Sequence, residues 1–130
     1  MEKTGWILTT LLGLFLLGAS VAPKLLGMNV AVDSLVSIGW PTTYVFQLGL
    51  LELVITVLFL ISRTGLLEAV LMTGLLGGAM ASHLRAGSPL FGFSLFGLYL
   101  GIALWLALFL RDGTFRAYVT STLMGNRGAD

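Results

Sequence analysis

Long uncharged runs separated by short polar clusters divide this chain into four candidate spans. The first runs from Gly5 to about Ala22, opens with Trp6 and then meets Pro23 and Lys24. About 20 predominantly apolar residues cross a bilayer core, so runs of this length are read as transmembrane helices. Lys3, the apolar stretch and Ser20-Val21-Ala22 imitate a signal peptide, but Pro23 would follow the cut directly, and the segment reads as a retained helix. Proline is tolerated inside membrane helices, so this helix is expected to continue over residues 5–26. Residues 28–43 are less apolar and too short to span, and Val30, Val32, Leu35, Val36 and Ile38 suggest a short interfacial helix or turn. Trp40 and Tyr44 mark a headgroup level before the second span, residues 44–61. Ser62-Arg63-Thr64-Gly65 turns the chain into the third, residues 66–84, which Arg85-Ala86-Gly87-Ser88-Pro89 closes. The fourth covers residues 90–110, and a polar tail, 111–130, begins at Arg111-Asp112.

Composition agrees with this pattern. Of 130 residues 57% are hydrophobic and only 10% charged, which leaves no room for a separate soluble domain beside four spans. The expected architecture is therefore all-α, an integral membrane four-helix up-and-down bundle forming a single domain over 1–130. A net charge of +1 gives no nucleic-acid footprint. The absence of cysteine excludes disulfide exchange, thiolate metal sites and covalent haem attachment, and a single histidine argues against a protein-ligated metal. Lys3, Arg63, Arg111, Arg116 and Arg127 fall on one side of the membrane and Lys24 and Arg85 on the other, which places both termini in the cytoplasm.

Against this apolar background the ionisable residues are conspicuous. Glu52 lies eight residues beyond Tyr44, about 12 Å into the hydrocarbon, where a carboxylate needs a cation, several donors or a proton. Lys24, near the outer end of the first span, can reach inward along its flexible stem to pair with it. His83 and Arg85 end the third span on the same side, so with Gln47 nearby these residues are expected to line one outward-facing polar pocket. Bland alternatives stand beside this reading: Lys24 and Arg85 snorkelling to headgroups, His83 capping a carbonyl, Glu52 locking two helices. Glu68, in the first turn of the third span, is expected to complement the helix N-terminus. Phe115, Tyr118, Val119 and Leu123 suit a short helix lying on the cytoplasmic leaflet. Small residues at helix-packing spacing, Gly74, Gly78 and Ser82, Gly97 and Gly101, Gly18 and Ala22, are expected to pack spans within the bundle, with a homo-oligomer seam as the alternative.

Four pieces of sequence carry a resemblance: Ala22-Pro23-Lys24-Leu25-Leu26-Gly27, Gly39-Trp40-Pro41, Gly49-Leu50-Leu51-Glu52-Leu53, and Gly77-Gly78-Ala79-Met80-Ala81-Ser82-His83-Leu84-Arg85. In order and spacing the chain resembles the DoxX-like family of small four-helix membrane proteins. The resemblance implies an up-and-down bundle with Lys24, Glu52, His83 and Arg85 as a shared polar set. It also implies a link to quinone-dependent redox chemistry, known for some relatives, whereas others resemble assembly factors for membrane complexes. Three functions are therefore expected in turn. The first is a non-catalytic membrane subunit or ligand-binding bundle associated with a quinone-linked oxidoreductase, no cofactor being bound covalently and quinone being the candidate ligand. The second is a proton-coupled transporter titrating at Glu52. The third is a structural or assembly factor. The expected partners are the lipid bilayer and a redox-enzyme or other membrane protein.

Overall fold

A computed structural model describes residues 1–89, 92 and 95–125. Among these residues the structure is helical throughout, without a strand. Helix α1 covers Glu2–Leu25, α2 Asn29–Ser37, α3 Val45–Leu60, α4 Gly65–Ala86, α5 Phe96–Arg111 and α6 Gly113–Met124. Three helices, Glu2–Leu25, Thr42–Leu60 and Ser62–Ala86, are long and apolar enough to cross a membrane, and α5 with α6 makes a fourth candidate bent by 103°. Part of the start of the fourth expected span (Leu90, Phe91, Phe93 and Ser94) and Arg127 in the tail lie outside the described residues.

The long helices pack in a ring in which α1 touches α3 and α5, and α4 closes the circuit between α3 and α5. We call the end that carries Met1, the α3–α4 turn and α6 the basal end, and the opposite end, where α2 lies, the apical end. Leu16, Ile55, Phe59, Met72, Leu100, Leu104 and Ala107 meet along the axis. Ile7, Leu11, Leu14, Phe46, Val70 and Ile102 point outward, each more than half exposed. The buried set, by contrast, includes Thr9, Glu52, Thr56, Glu68 and Arg111. An apolar exterior around polar interior groups is the distribution expected of helices solvated by lipid.

Pro23 shapes α1 without ending it. It has no N–H to offer the carbonyl four residues back and its ring crowds that carbonyl, so the preceding turn widens. Leu17–Val21 is accordingly a π-helical turn, in which the Ala22 N–H bonds to the Leu17 carbonyl, and α-helix resumes over Ala22–Leu25. At the other apical terminus Gly87, in the left-handed region at φ 75°, ends α4. The Ser88 N–H returns to the His83 carbonyl at 3.0 Å and the Gly87 N–H to that of Leu84 at 3.2 Å, satisfying carbonyls that the helix would otherwise leave open.

The small-residue faces require a correction. Gly97 does approach α4, where a Cβ would meet Met80 and the Leu76 carbonyl, but Gly18, Gly74 and Gly78 face open space. The close approaches are made instead by Gly5 against the Arg111 backbone, Gly13 against Leu60, Gly49 against Lys24 and Gly65 against the Arg111 guanidinium. Spacing alone marks where a helix can be approached; which face is used depends on the neighbour's side chains.

Candidate functional site: polar centres at the two ends of the bundle

Gly49 and Glu52 lie three residues apart on α3 and so share a face. A Cβ on Gly49 would stand 2.7 Å from the Lys24 Cβ, so its absence lets α1 and α3 approach at this level. Lys24 then extends along α1 to Glu52, and its ammonium forms an ion pair with Glu52 Oε2. Ser20, one turn before Lys24 and within the π-helical turn, joins both partners. Its Oγ donates to Glu52 Oε2 at 3.0 Å and accepts from Lys24 Nζ at 2.8 Å. The Glu52 side chain is 7% exposed and that of Lys24 23%, so one partner is enclosed while the other keeps an edge toward the surface. The sequence reading of this centre omitted Ser20, whose spacing of four residues from Lys24 was the available signal.

His83 and Arg85 occupy the apical end of α4 with contacts of their own. His83 Nδ1 lies 3.1 Å from Ser88 Oγ, and Arg85 Nη2 donates to the Ile38 carbonyl at 3.3 Å, at the end of α2. Nearby, Trp40 Nε1 donates to Ser82 Oγ at 3.1 Å and its ring meets Tyr44 edge-on, tying the loop after α2 to α4. A cavity of about 370 Å³ opens here, walled by Asp33, Ser34, Ser37, His83, Ser88 and Pro89. Asp33, Ser34 and Ser37 reach it because a helix brings positions i, i+1 and i+4 toward one side. Lys24, Glu52 and Arg85 are not in its wall, and Gln47 is exposed on α3, outside it. The expected polar set is thus distributed over an ion pair within the bundle, a cavity holding His83, and an arginine pinned to α2.

The basal end departs further from expectation. Arg111 does not open the tail; it is the last residue of α5 and only 5% exposed. Its Nη1 donates to the Phe59 carbonyl at 2.6 Å and to Thr9 Oγ1 at 3.4 Å, and its guanidinium carbon sits 4.8 Å from the Trp6 ring centroid and 4.6 Å from that of Phe59. One side chain therefore joins α1, α3 and α5, through hydrogen bonds and cation–π contacts. The apolar run from Phe96 to Leu110 leads directly into Arg111, which was the sequence signal that it belongs to the helix.

Glu68 stands in the first turn of α4, where the sequence reading put it, but its surroundings go beyond that reading. It is fully buried, and neither carboxylate oxygen has a hydrogen-bond partner among the described residues. A second cavity of about 370 Å³ lies at this end, walled by Trp6, Ser62, Arg63, Arg111, Asp112, Gly113 and Thr114. Asp112 caps α6 by accepting from the Thr114 and Phe115 N–H groups, and Arg116 turns back to the Phe109 and Leu110 carbonyls. These contacts fix the sharp turn of the tail.

The sequence profile of the DoxX-like family matches residues 7–107, most of the chain and all of it that carries Lys24, Gln47, Glu52, His83 and Arg85. No curated protein and no solved structure gives a match.

Proposed function

Since the chain belongs to the DoxX-like family, we propose that it is a multi-pass, non-catalytic membrane subunit that holds the polar head of a small ligand at its apical end and serves a quinone-linked oxidoreductase. The observation that carries this reading is the apical cavity of about 370 Å³, where an imidazole, three serine hydroxyls and the Asp33 carboxylate gather at the mouth of an apolar bundle. A quinone headgroup presents two carbonyl acceptors; Ser34 and Ser37 donate to the Val30 and Ser34 carbonyls, so a bound headgroup would draw one of these hydroxyls from the backbone to itself while an isoprenoid tail remains in lipid. The Lys24–Glu52 pair serves this site indirectly: it joins α1 to α3, and α2, which supplies half the cavity wall, follows α1 and packs on α3 through Ala31, Leu35 and Val45. Among the described residues Lys3, Arg63, Arg111 and Arg116 lie toward the basal end against Lys24 and Arg85 toward the apical one, which supports a cavity facing away from the cytoplasm and both termini in the cytoplasm.

Purification in native lipid nanodiscs, with extraction and mass analysis of bound small molecules, tests the proposal. A quinone retained by the wild type and lost in His83→Ala, with the fold intact, is the expected result. Its absence from protein prepared out of quinone-replete membranes overturns the reading.

A structural or assembly role is the second reading, favoured by one observation: Lys24 and Glu52 touch each other and Ser20 rather than flanking a gap. It predicts that Lys24→Met is rescued by Glu52→Leu in every assay, ligand retention included. Proton-coupled transport through Glu52 draws less support, because Glu52 is held by both Lys24 and Ser20.

A further inference from the structure

We propose that Glu68 is a proton-binding site in the basal half of the bundle, with Arg111 as its positioning residue and the basal cavity as its route to water. The site is independent of the apical one and lies at the opposite end of the helices.

Glu68 is 0% exposed, and both of its carboxylate oxygens lack a hydrogen-bond partner among the described residues. An ionised carboxylate enclosed in this way needs a cation or several donors, and otherwise carries a proton. Arg111 has its Nη1 committed to Phe59 and Thr9, while Nη2, also buried, has no hydrogen-bond partner among the described residues. That Nη2 occupies the place where a Cβ on Gly65 would stand, one turn before Glu68 on the same face of α4. The geometry therefore holds a spare guanidinium donor one helical turn from a spare carboxylate, with no side chain on Gly65 to separate them.

This arrangement suits two protonation states. With its proton, Glu68 is neutral and stays enclosed without a partner. When the O–H bond breaks, the proton leaves to water in the basal cavity, whose wall includes Arg111, and Nη2 is the donor that receives the carboxylate. Other charged groups stand near the centre, among them the Glu2 carboxylate beside Gly113 of the cavity wall. From α1 and α3 the groups presented to Arg111 are the Thr9 hydroxyl, the Trp6 ring and the carbonyl and ring of Phe59, none of which titrates in this range. Arg63 and Asp112 stand in the cavity wall and carry opposite charges. An exchangeable proton is thus assigned to Glu68, whose carboxylate has no hydrogen-bond partner among the described residues, whereas Glu52 is paired with Lys24.

The test uses the full chain in lipid nanodiscs. Infrared difference spectra across a pH titration should show a carboxylic acid carbonyl band that disappears at alkaline pH, is missing in Glu68→Gln and survives in Glu52→Gln. Dicyclohexylcarbodiimide, an apolar reagent for protonated carboxyl groups, should label Glu68 and spare Glu52 by peptide mass mapping. Arg111→Lys, which keeps a charge and loses the planar donor pair, should move the midpoint of the infrared transition by about one pH unit or more in the alkaline direction. A purely structural Arg111 leaves that midpoint in place, and this result sinks the positioning role. A wild-type spectrum without a pH-dependent acid band, or one that Glu68→Gln leaves unaltered, overturns the proposal as a whole.

Discussion

At the apical end a lysine reaches Glu52 and is joined there by Ser20; at the basal end an arginine comes within one helical turn of Glu68 and directs its hydrogen bonds elsewhere. Both carboxylates sit on long apolar helices, and each has a cation on a neighbouring helix. The difference lies in the cations. Lys24 carries a compact charge on a flexible stem and approaches Glu52 where Gly49 admits α1 to the surface of α3. Arg111 is planar and is gripped between the rings of Trp6 and Phe59 while its Nη1 is taken by the Phe59 carbonyl. Its orientation is thereby set by α1 and α3, and Glu68, on α4, has no hydrogen-bond partner among the described residues. Proximity of opposite charges in a membrane bundle therefore does not by itself make a pair; the cation must also be free to turn.

Breaking the apical pair should have the largest effect on stability. Lys24→Met leaves Glu52 enclosed with Ser20 alone and should cost about 3 kcal/mol, read from unfolding in mixed micelles, with most of that loss recovered in the Lys24→Met, Glu52→Leu double variant. Equal losses in the single and double variants would contradict the pairing. Arg111→Lys keeps the charge but loses the stacked plane between two rings, and a loss of about 2 kcal/mol is expected in the same assay. Gly49→Ala inserts a methyl group against Lys24 and should cost about 1 kcal/mol by pushing α1 outward; unchanged stability would show that α1 yields freely. Glu68→Gln should be the mildest, within about 0.5 kcal/mol, because an amide replaces a neutral acid of nearly the same shape. Glu52→Gln, in contrast, removes the charge that Lys24 faces and should exceed it clearly, so the ratio of the two losses measures how differently the ends are built.

Much of this was legible in the sequence. The apolar runs and turn clusters located α1, α3 and α4 to within a few residues, and Pro23 was read correctly as continuing the first helix. A short helix does lie between the first two long helices, Asn29–Ser37, and the tail does form a helix, Gly113–Met124. Lys24 and Glu52 were paired because a charge in hydrocarbon must find another and the lysine stem can reach inward, and the structure brings them into contact. Arg111 was missed because a basic residue at the end of an apolar run looks the same in sequence whether it emerges into headgroups or folds back between two rings. Glu68 was placed correctly in the first turn of its helix, but its full burial was not foreseen, because that burial arises from neighbours far away in the chain.

The sequence by itself determined that the chain is an apolar helical bundle, because hydrophobic run length and the backbone's need for internal hydrogen bonds leave lipid-facing segments no other form of this size. Only the tertiary structure decided which glycines bring helices together, which arginine turns inward and which carboxylate lacks a hydrogen-bond partner among the described residues. Those outcomes depend on side-chain direction around each helix and on contacts between residues such as Thr9 and Arg111, one hundred positions apart, whose meeting no local pattern encodes.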